Sequence, residues 1–355
     1  MADHPEQRPH AAFAVRVDGV PLPLPAMLAV RSISIDEEAE VPSLFSIELT
    51  GGGSAAGQTD WIDGDLFGIG SAVEIALGYG DQLTDLITGE VTALEPSFTR
   101  TSPPRFSVRG YDRRHRLLRG RKTRSFTQQK DSDVASIIAA EVGLSAQVED
   151  TQVVHEYLLQ ANQTDMEFLT ARARRIRYEL SVDGRTLHFR PTQNQQGETL
   201  TLTLADDLIE FSPRLSTMGQ YSAIEVRGWS PKERAEIVAR AAASDAVSAM
   251  GGSVSGAALI EDAFGGATLL VGDEPVMNQA EADQLAKAWF NRALLGLVQG
   301  EGVCRGRPDL RPGQVIRLDG LGERFSGQYY VSATSHRYRA DLDYETHFLV
   351  GRNAA

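Results

Sequence analysis

The chain holds one cysteine in 355 residues, Cys304. A lone thiol rules out an internal disulfide framework and a zinc site of thiolates from this chain alone, and it suits a reducing compartment. Its own expected role is that of a small buried apolar residue. No stretch approaches the roughly 18 uninterrupted apolar residues of a membrane span, and the polar, proline-bearing start, residues 1–10, lacks the apolar segment of a Sec signal peptide. Positive charge is also short: 35 Lys and Arg against 48 Asp and Glu give a net charge of -13, which disfavours a protein whose whole surface grips nucleic acid. No glycine precedes a lysine, so a P-loop is missing. Gly68-Ile69-Gly70 and Gly78-Tyr79-Gly80 lack the third glycine of a dinucleotide fingerprint. Between Gly252 and Gly256, Val254 stands where a nucleophile elbow needs serine. His115, His155, His188, His336 and His347 never pair at i, i+4 as a helical metal site would, and His155 and Glu156 would face opposite sides of a strand. No metal, cofactor or catalytic residue is therefore assigned, and the expectation is that the chain is not an enzyme.

What is present suits a folded chain of two or three domains: 42% hydrophobic and 23% charged residues over a length well beyond one compact core. Segments 13–17, 29–35, 44–49, 72–77, 86–94 and 106–109 alternate or are β-branched, with Gly and Pro between them, as antiparallel strands do. After Tyr111 the pattern changes. Residues 132–141 and 165–176 have helical spacing, with Asp131 and Thr164 as N-caps and Gly143 as a stop. A strand is expected at 153–159 and a hairpin at 178–190 turning at Asp183-Gly184. Strands at 199–204 and 221–227 follow, then a weak Ala-rich helix at 232–246, a flexible Gly/Ser/Ala loop at 250–272, a helix at 280–294 capped by Asn278, and short strands from 302 to 350.

The last β segment echoes the first. Asp65-Leu66, Gly70 and Val73-Glu74-Ile75 parallel Asp309-Leu310, Gly313 and Val315-Ile316-Arg317. Gly89 to Ala93 then parallels Gln328 to Ala333, and Phe106 to Arg109 parallels Phe348 to Gly351, all in the same order. A further echo sets Val108-Arg109-Gly110-Tyr111 against Val226-Arg227-Gly228-Trp229. Two similar β modules per chain, repeated in a cyclic trimer, would place six around one axis, a threefold ring with pseudo-sixfold symmetry.

Charge is densest over 105–124. There Arg109, Arg113, Arg114, Arg116, Arg119 and Arg121 are the candidate inter-subunit or inter-domain contacts, their planar guanidinium groups suited to carboxylates. Stacking aromatics do not interleave the run, which disfavours single-strand nucleic acid. Arg172, Arg174, Arg175 and Arg177 make a second basic patch, expected to be a solvated helix face. Asp131 and Asp133 read as helix-start acids, and Glu37-Glu38 and Asp206-Asp207 as solvated turns.

Many short segments in order carry a resemblance: Val41-Pro42-Ser43-Leu44-Phe45, Val108 to Arg113, Asp131-Ser132-Asp133, Gln160 to Asp165, Leu187 to Pro191, Gly306-Arg307-Pro308 and Phe325 to Val331. On these the chain resembles the phage late control protein D family, which includes the first part of the valine-glycine repeat spike proteins of type VI secretion. The resemblance implies a mainly β fold with α+β insertions and two similar tube-type β-barrels. Its expected parts are a first barrel at 10–112, an α+β insertion at 113–198, a second barrel at 199–231 and 297–355, and a flexible loop plus helix at 232–296. It further implies a homotrimeric baseplate hub of a contractile phage tail or injection system, joining the sixfold tail tube or its initiator to a threefold spike. Since Ala355 follows the second β segment directly, the spike is expected to be a separate chain. Baseplate wedge proteins and a cargo effector are further expected partners. Assembly would take place in the bacterial cytoplasm, before incorporation in the particle. A tail-associated wall hydrolase and a nucleic-acid-binding module are the competing expectations.

Overall fold

The structure, a computed structural model, describes residues 10–50 and 61–355. Of the polar start at 1–10, residues 1–9 lie outside that description. The first β unit comprises β1 (Ala11–Val17), the two-residue β2 (Val20–Pro21), a short α1 (Leu24–Ala29), β3 (Val30–Glu38), β4 (Val41–Thr50), β5 (Ala72–Tyr79), β6 (Gln82–Ser97) and β7 (Arg105–Asp112). Alternation decides which face is buried: Ile33 and Ile35, Phe45, Ile47 and Leu49, and Phe106 and Val108 point into one core, while the residues between them point out. Phe45 fits because Gly110 lies against it. A Cβ at Gly110 would come 2.4 Å from Phe45 Cζ and 2.1 Å from the Glu90 carbonyl oxygen.

The α+β insertion follows, with β8 (Lys122–Gln129), α2 (Asp131–Glu141), β9 (Ser145–Val148), β10 (His155–Gln163), α3 (Asp165–Arg175), β11 (Tyr178–Asp183) and β12 (Thr186–Pro191). Val134, Ile138, Phe168, Leu169, Leu187 and Phe189 form its core. Thr164 caps α3 by accepting from Glu167 N at 3.1 Å while Glu167 accepts back from Thr164 N. The N-cap of α2 is Lys130, not Asp131: Asp133 accepts from Lys130 N, and the Asp131 carboxylate turns inward instead.

The second β unit has β13 (Leu200–Thr203) and β14 (Leu208–Leu215). After an excursion it resumes with β18 (Val298–Arg305), β19 (Val315–Asp319), β20 (Gly327–Arg339) and β21 (Tyr344–Arg352). The excursion contains β15 (Ala223–Ser230), β16 (Ala235–Ala242), α4 (Gly256–Phe264), β17 (Thr268–Val271) and α5 (Gln279–Leu295). Three sequence expectations change here. Residues 223–230 belong not with the second β unit but with β16 and β17 in a separate sheet, so the echo of Val108 to Tyr111 in Val226 to Trp229 has no structural counterpart. The expected weak helix at 232–246 is β16, because Ile237, Ala239 and Ala241 alternate inward against α5, and packing overrides alanine's helix preference. The expected flexible loop at 250–272 holds α4, capped by Ser255 and ended at Gly265 with φ +83°, and then β17.

The duplication is plain in the strand order. The first unit runs β3-β4-β7-β6-β5-β1 and the second β14-β18-β21-β20-β19-β13, with one change: β1 is antiparallel to β5, whereas β13 is parallel to β19. Details repeat as well. Gly70, at φ +92°, donates to Val91 O at 2.8 Å, and Gly313, at φ +87°, donates to Val331 O at 2.9 Å. Each valine then begins a bulge, Val91/Ala93 against β7 and Val331/Ala333 against β21. Ala93 faces Arg109 and Ala333 faces Leu349, so Phe348 corresponds to Val108. The sequence match of Phe106 to Phe348 is therefore displaced by two residues, a slip that keeps the buried face and is invisible to alternation.

The units join edge to edge. β3 pairs antiparallel with β20 from Glu38 opposite Ala333 to Ser32 opposite Arg339, making one 13-stranded sheet. The expected pair of closed barrels is not seen: among the described residues the pairings close neither unit on itself.

Candidate interface at the seam and the insertion anchor

The basic run turns inward. β7 ends at Asp112, whose carboxylate accepts from Ser43 N, Arg114 N and Arg114 Nε, each at 2.8 Å. Arg114, 4% exposed, also donates to Ser43 Oγ and to the carbonyls of Glu38, Ala39 and Leu180, which clamps the first β unit to β11 of the insertion. Beside it Glu90 gathers Arg113 Nε at 3.2 Å, His115 Nε2 at 2.8 Å and Arg116 Nη2 at 2.5 Å. Burial would raise the Glu90 carboxyl, but hydrogen bonds from Arg116, His115 and Arg113 outweigh it and hold the group at about 2. Arg113 also reaches Gly184 O, and Arg121 bonds Asn162 O and Glu167. Arg119 lies 3.4 Å from His115 Nδ1. Arg109 stands apart on the outer face, 3.4 Å from Glu95, with half its side chain exposed.

The second basic patch is engaged too. Arg172 pairs with Asp131, which also meets His155 Nε2 at 3.1 Å, and His155 Nδ1 meets Glu281 of α5 at 2.9 Å. Arg174 and Arg292 converge on Glu40, in the turn between β3 and β4, and Arg175 bonds Glu274. Sequence could show the arginines of this patch but not their partners, which lie up to 134 residues away.

At the β3–β20 seam the polar groups are deeply buried. Arg311 holds Glu37 at 2.5 Å and donates to Leu86 O at 2.7 Å, tying a loop of the second unit to the first. His336, fully buried, hydrogen-bonds Tyr344 Oη at 2.8 Å through Nδ1, while Nε2 has no well-formed hydrogen bond among the described residues and lies 3.7 Å from Glu37. Burial, with Arg311 beside it, pushes the imidazole down to about 3, and burial raises the Glu37 carboxyl despite Arg311. Over the seam runs a groove of 1030 Å³ lined by Glu38, Glu40, Val41, Leu118, Glu301 and Leu349 among others.

Cys304 is buried, and burial pushes its thiol up to about 12. Among the described residues no group of three His, Cys, Asp or Glu is placed to hold a metal, and no helix is long and apolar enough to cross a membrane.

A family model described as Alg8 N-terminal domain matches residues 8–340. No curated protein sequence matches. Among solved structures, the 43 kDa tail protein of prophage MuSo2 from Shewanella oneidensis aligns with a TM-score of 0.73 and 16% identity over 96% of this chain and 98% of that one. A tail protein from Neisseria meningitidis aligns at 0.70 and 12% identity, covering 97% of each chain. An Escherichia coli protein, described as a type VI secretion component with structural similarity to the T4 tail proteins gp27 and gp5, aligns at 0.59 and 14% identity over 96% of this chain and 79% of that one. The fold is that of phage tail proteins.

Proposed function

The chain belongs to the Alg8 N-terminal domain family, and with its tail-protein fold we propose that it is the structural hub of a contractile tail or tail-like injection machine, a homotrimer that joins a sixfold tube to a threefold spike. One observation carries the proposal: the same six-strand order occurs twice in a single chain, joined by β3 and β20. Three such chains around an axis offer six similar units on one face and keep threefold symmetry on the other. The role is mechanical, not catalytic, and soluble particle assembly with tube, spike and baseplate proteins is its setting. A grip on nucleic acid is disfavoured, because the arginines between 113 and 121 are spent on Glu90, Asp112, Glu167, His115 and backbone carbonyls.

Size-exclusion chromatography with light scattering tests this. The expected mass is three times the 38.6 kDa chain, and a monomer at high concentration contradicts it. Clearing of a peptidoglycan gel by the pure chain would favour a wall hydrolase instead.

A further inference from the structure

The duplication also indicates which strands meet between copies. Within the chain β3 pairs with the far half of β20. The shared bulge makes Val91 equivalent to Val331 and Val108 to Phe348, so β6 is the counterpart of β20. Val108 faces Ile47 and Phe348 faces Gly302, and these in turn face Ile33 and Phe211, so β14 is the counterpart of β3. Both counterparts have a free edge among the described residues. β14 ends the sheet and pairs with β18 alone. β5 accompanies β6 only as far as Glu90, leaving residues 93–97 with β7 on one side and nothing on the other.

We propose that β14 of one copy pairs antiparallel with the far half of β6 of the next, in the register of the intrachain seam, and that this contact closes the ring; the proposal rests on the threefold reading above. That register sets Leu94 opposite Leu215, Pro96 opposite Pro213 and Phe98 opposite Phe211 on the inner face, with Glu95 opposite Arg214 on the outer. The edges are made for this. Leu94 and Leu215 are half-buried at the margins of the two β cores, and Phe98 is 66% exposed. Arg214 is exposed and has no ion pair among the described residues, while Glu95 has only Arg109 at 3.4 Å, so the pairing brings a second cation to Glu95. The intrachain seam must bury Glu37 and His336, whereas the contact between copies would bury apolar pairs only. Where Pro96 meets Pro213 neither strand can donate, so the ladder is interrupted there. In the free chain those same prolines discourage pairing with an unrelated edge.

The test is a disulfide. Glu95→Cys with Arg214→Cys sits at a pair whose Cα separation in an antiparallel ladder, about 4.5–5.5 Å, suits an S–S bond, and the native cysteine is buried. Oxidation of the double variant is expected to give covalent dimer and trimer on a denaturing gel, with no larger species and no product from either single variant. A trimer in solution that fails to cross-link, or that cross-links only through Glu95→Cys with Ser212→Cys, overturns the register while leaving the hub standing. A chain that stays monomeric overturns both.

Discussion

Arg114→Ala is expected to lower the free energy of unfolding by about 3–5 kcal/mol, read from urea titrations followed by circular dichroism. Arg114 and Asp112 are each 4% exposed at the side chain, so truncating the arginine leaves a carboxylate in a low-dielectric site with two backbone amides as its donors among the described residues. Removing one partner of such a pair is costly out of proportion to what the intact pair contributes, because the remaining charge is uncompensated. The carbonyls of Glu38, Ala39 and Leu180 lose a donor at the same time. Lysine cannot substitute, since one ammonium cannot span five acceptors on three segments. Arg109→Ala is the internal control: its exposed pair with Glu95 should be worth less than about 1 kcal/mol. Equal, small effects at the two positions would show that the anchor does not hold the insertion.

Acidification should release a second large term, from His336. Its folded value of about 3 lies below the ordinary 6.5, so the unfolded chain takes up the proton first. The neutral ring's contribution is fully present above pH 6.5 and is lost as pH falls toward 3, at about 1.4 kcal/mol per unit and on the order of 4–5 kcal/mol in all. Glu37 opposes this, because its raised carboxyl makes stability fall as pH rises above 4.5, and Glu90 adds its own loss below 4.5, as pH falls toward about 2. The difference between wild type and His336→Gln isolates the histidine. The variant's stability is expected to decline less steeply between pH 6.5 and 4.5, whatever its offset at neutral pH. Parallel curves would mean that the ring accepts a proton without cost, and so that the seam is wetter than its geometry indicates.

Much of the fold was legible because alternation and glycine placement are local. Ile33, Ile35, Phe45 and Ile47 announce strands by themselves, Thr164 and Asn278 cap the helices that sequence expects, and Gly70 and Gly313 mark equivalent turns of the two units. What stayed hidden depends on distant partners. Ala239 and Ala241 are strand residues only because α5 packs on them, and the two-residue slip between Phe106 and Phe348 changes no buried face. The candidate arginines were visible as a charge run. Their convergence on Glu90 and Asp112 was not, since Glu90 reads as one more polar residue in a strand. Nor could alternation foresee that the two units would share one sheet through β3 and β20 rather than close separately, since strand edges carry no sequence period of their own.

Projection averages of the purified protein in negative stain test the central claim most directly. Two copies of one β unit per chain predict a ring with threefold symmetry and six lobes of nearly equal size around an open centre. Single particles without an axis, or a ring whose lobes number three, would contradict it.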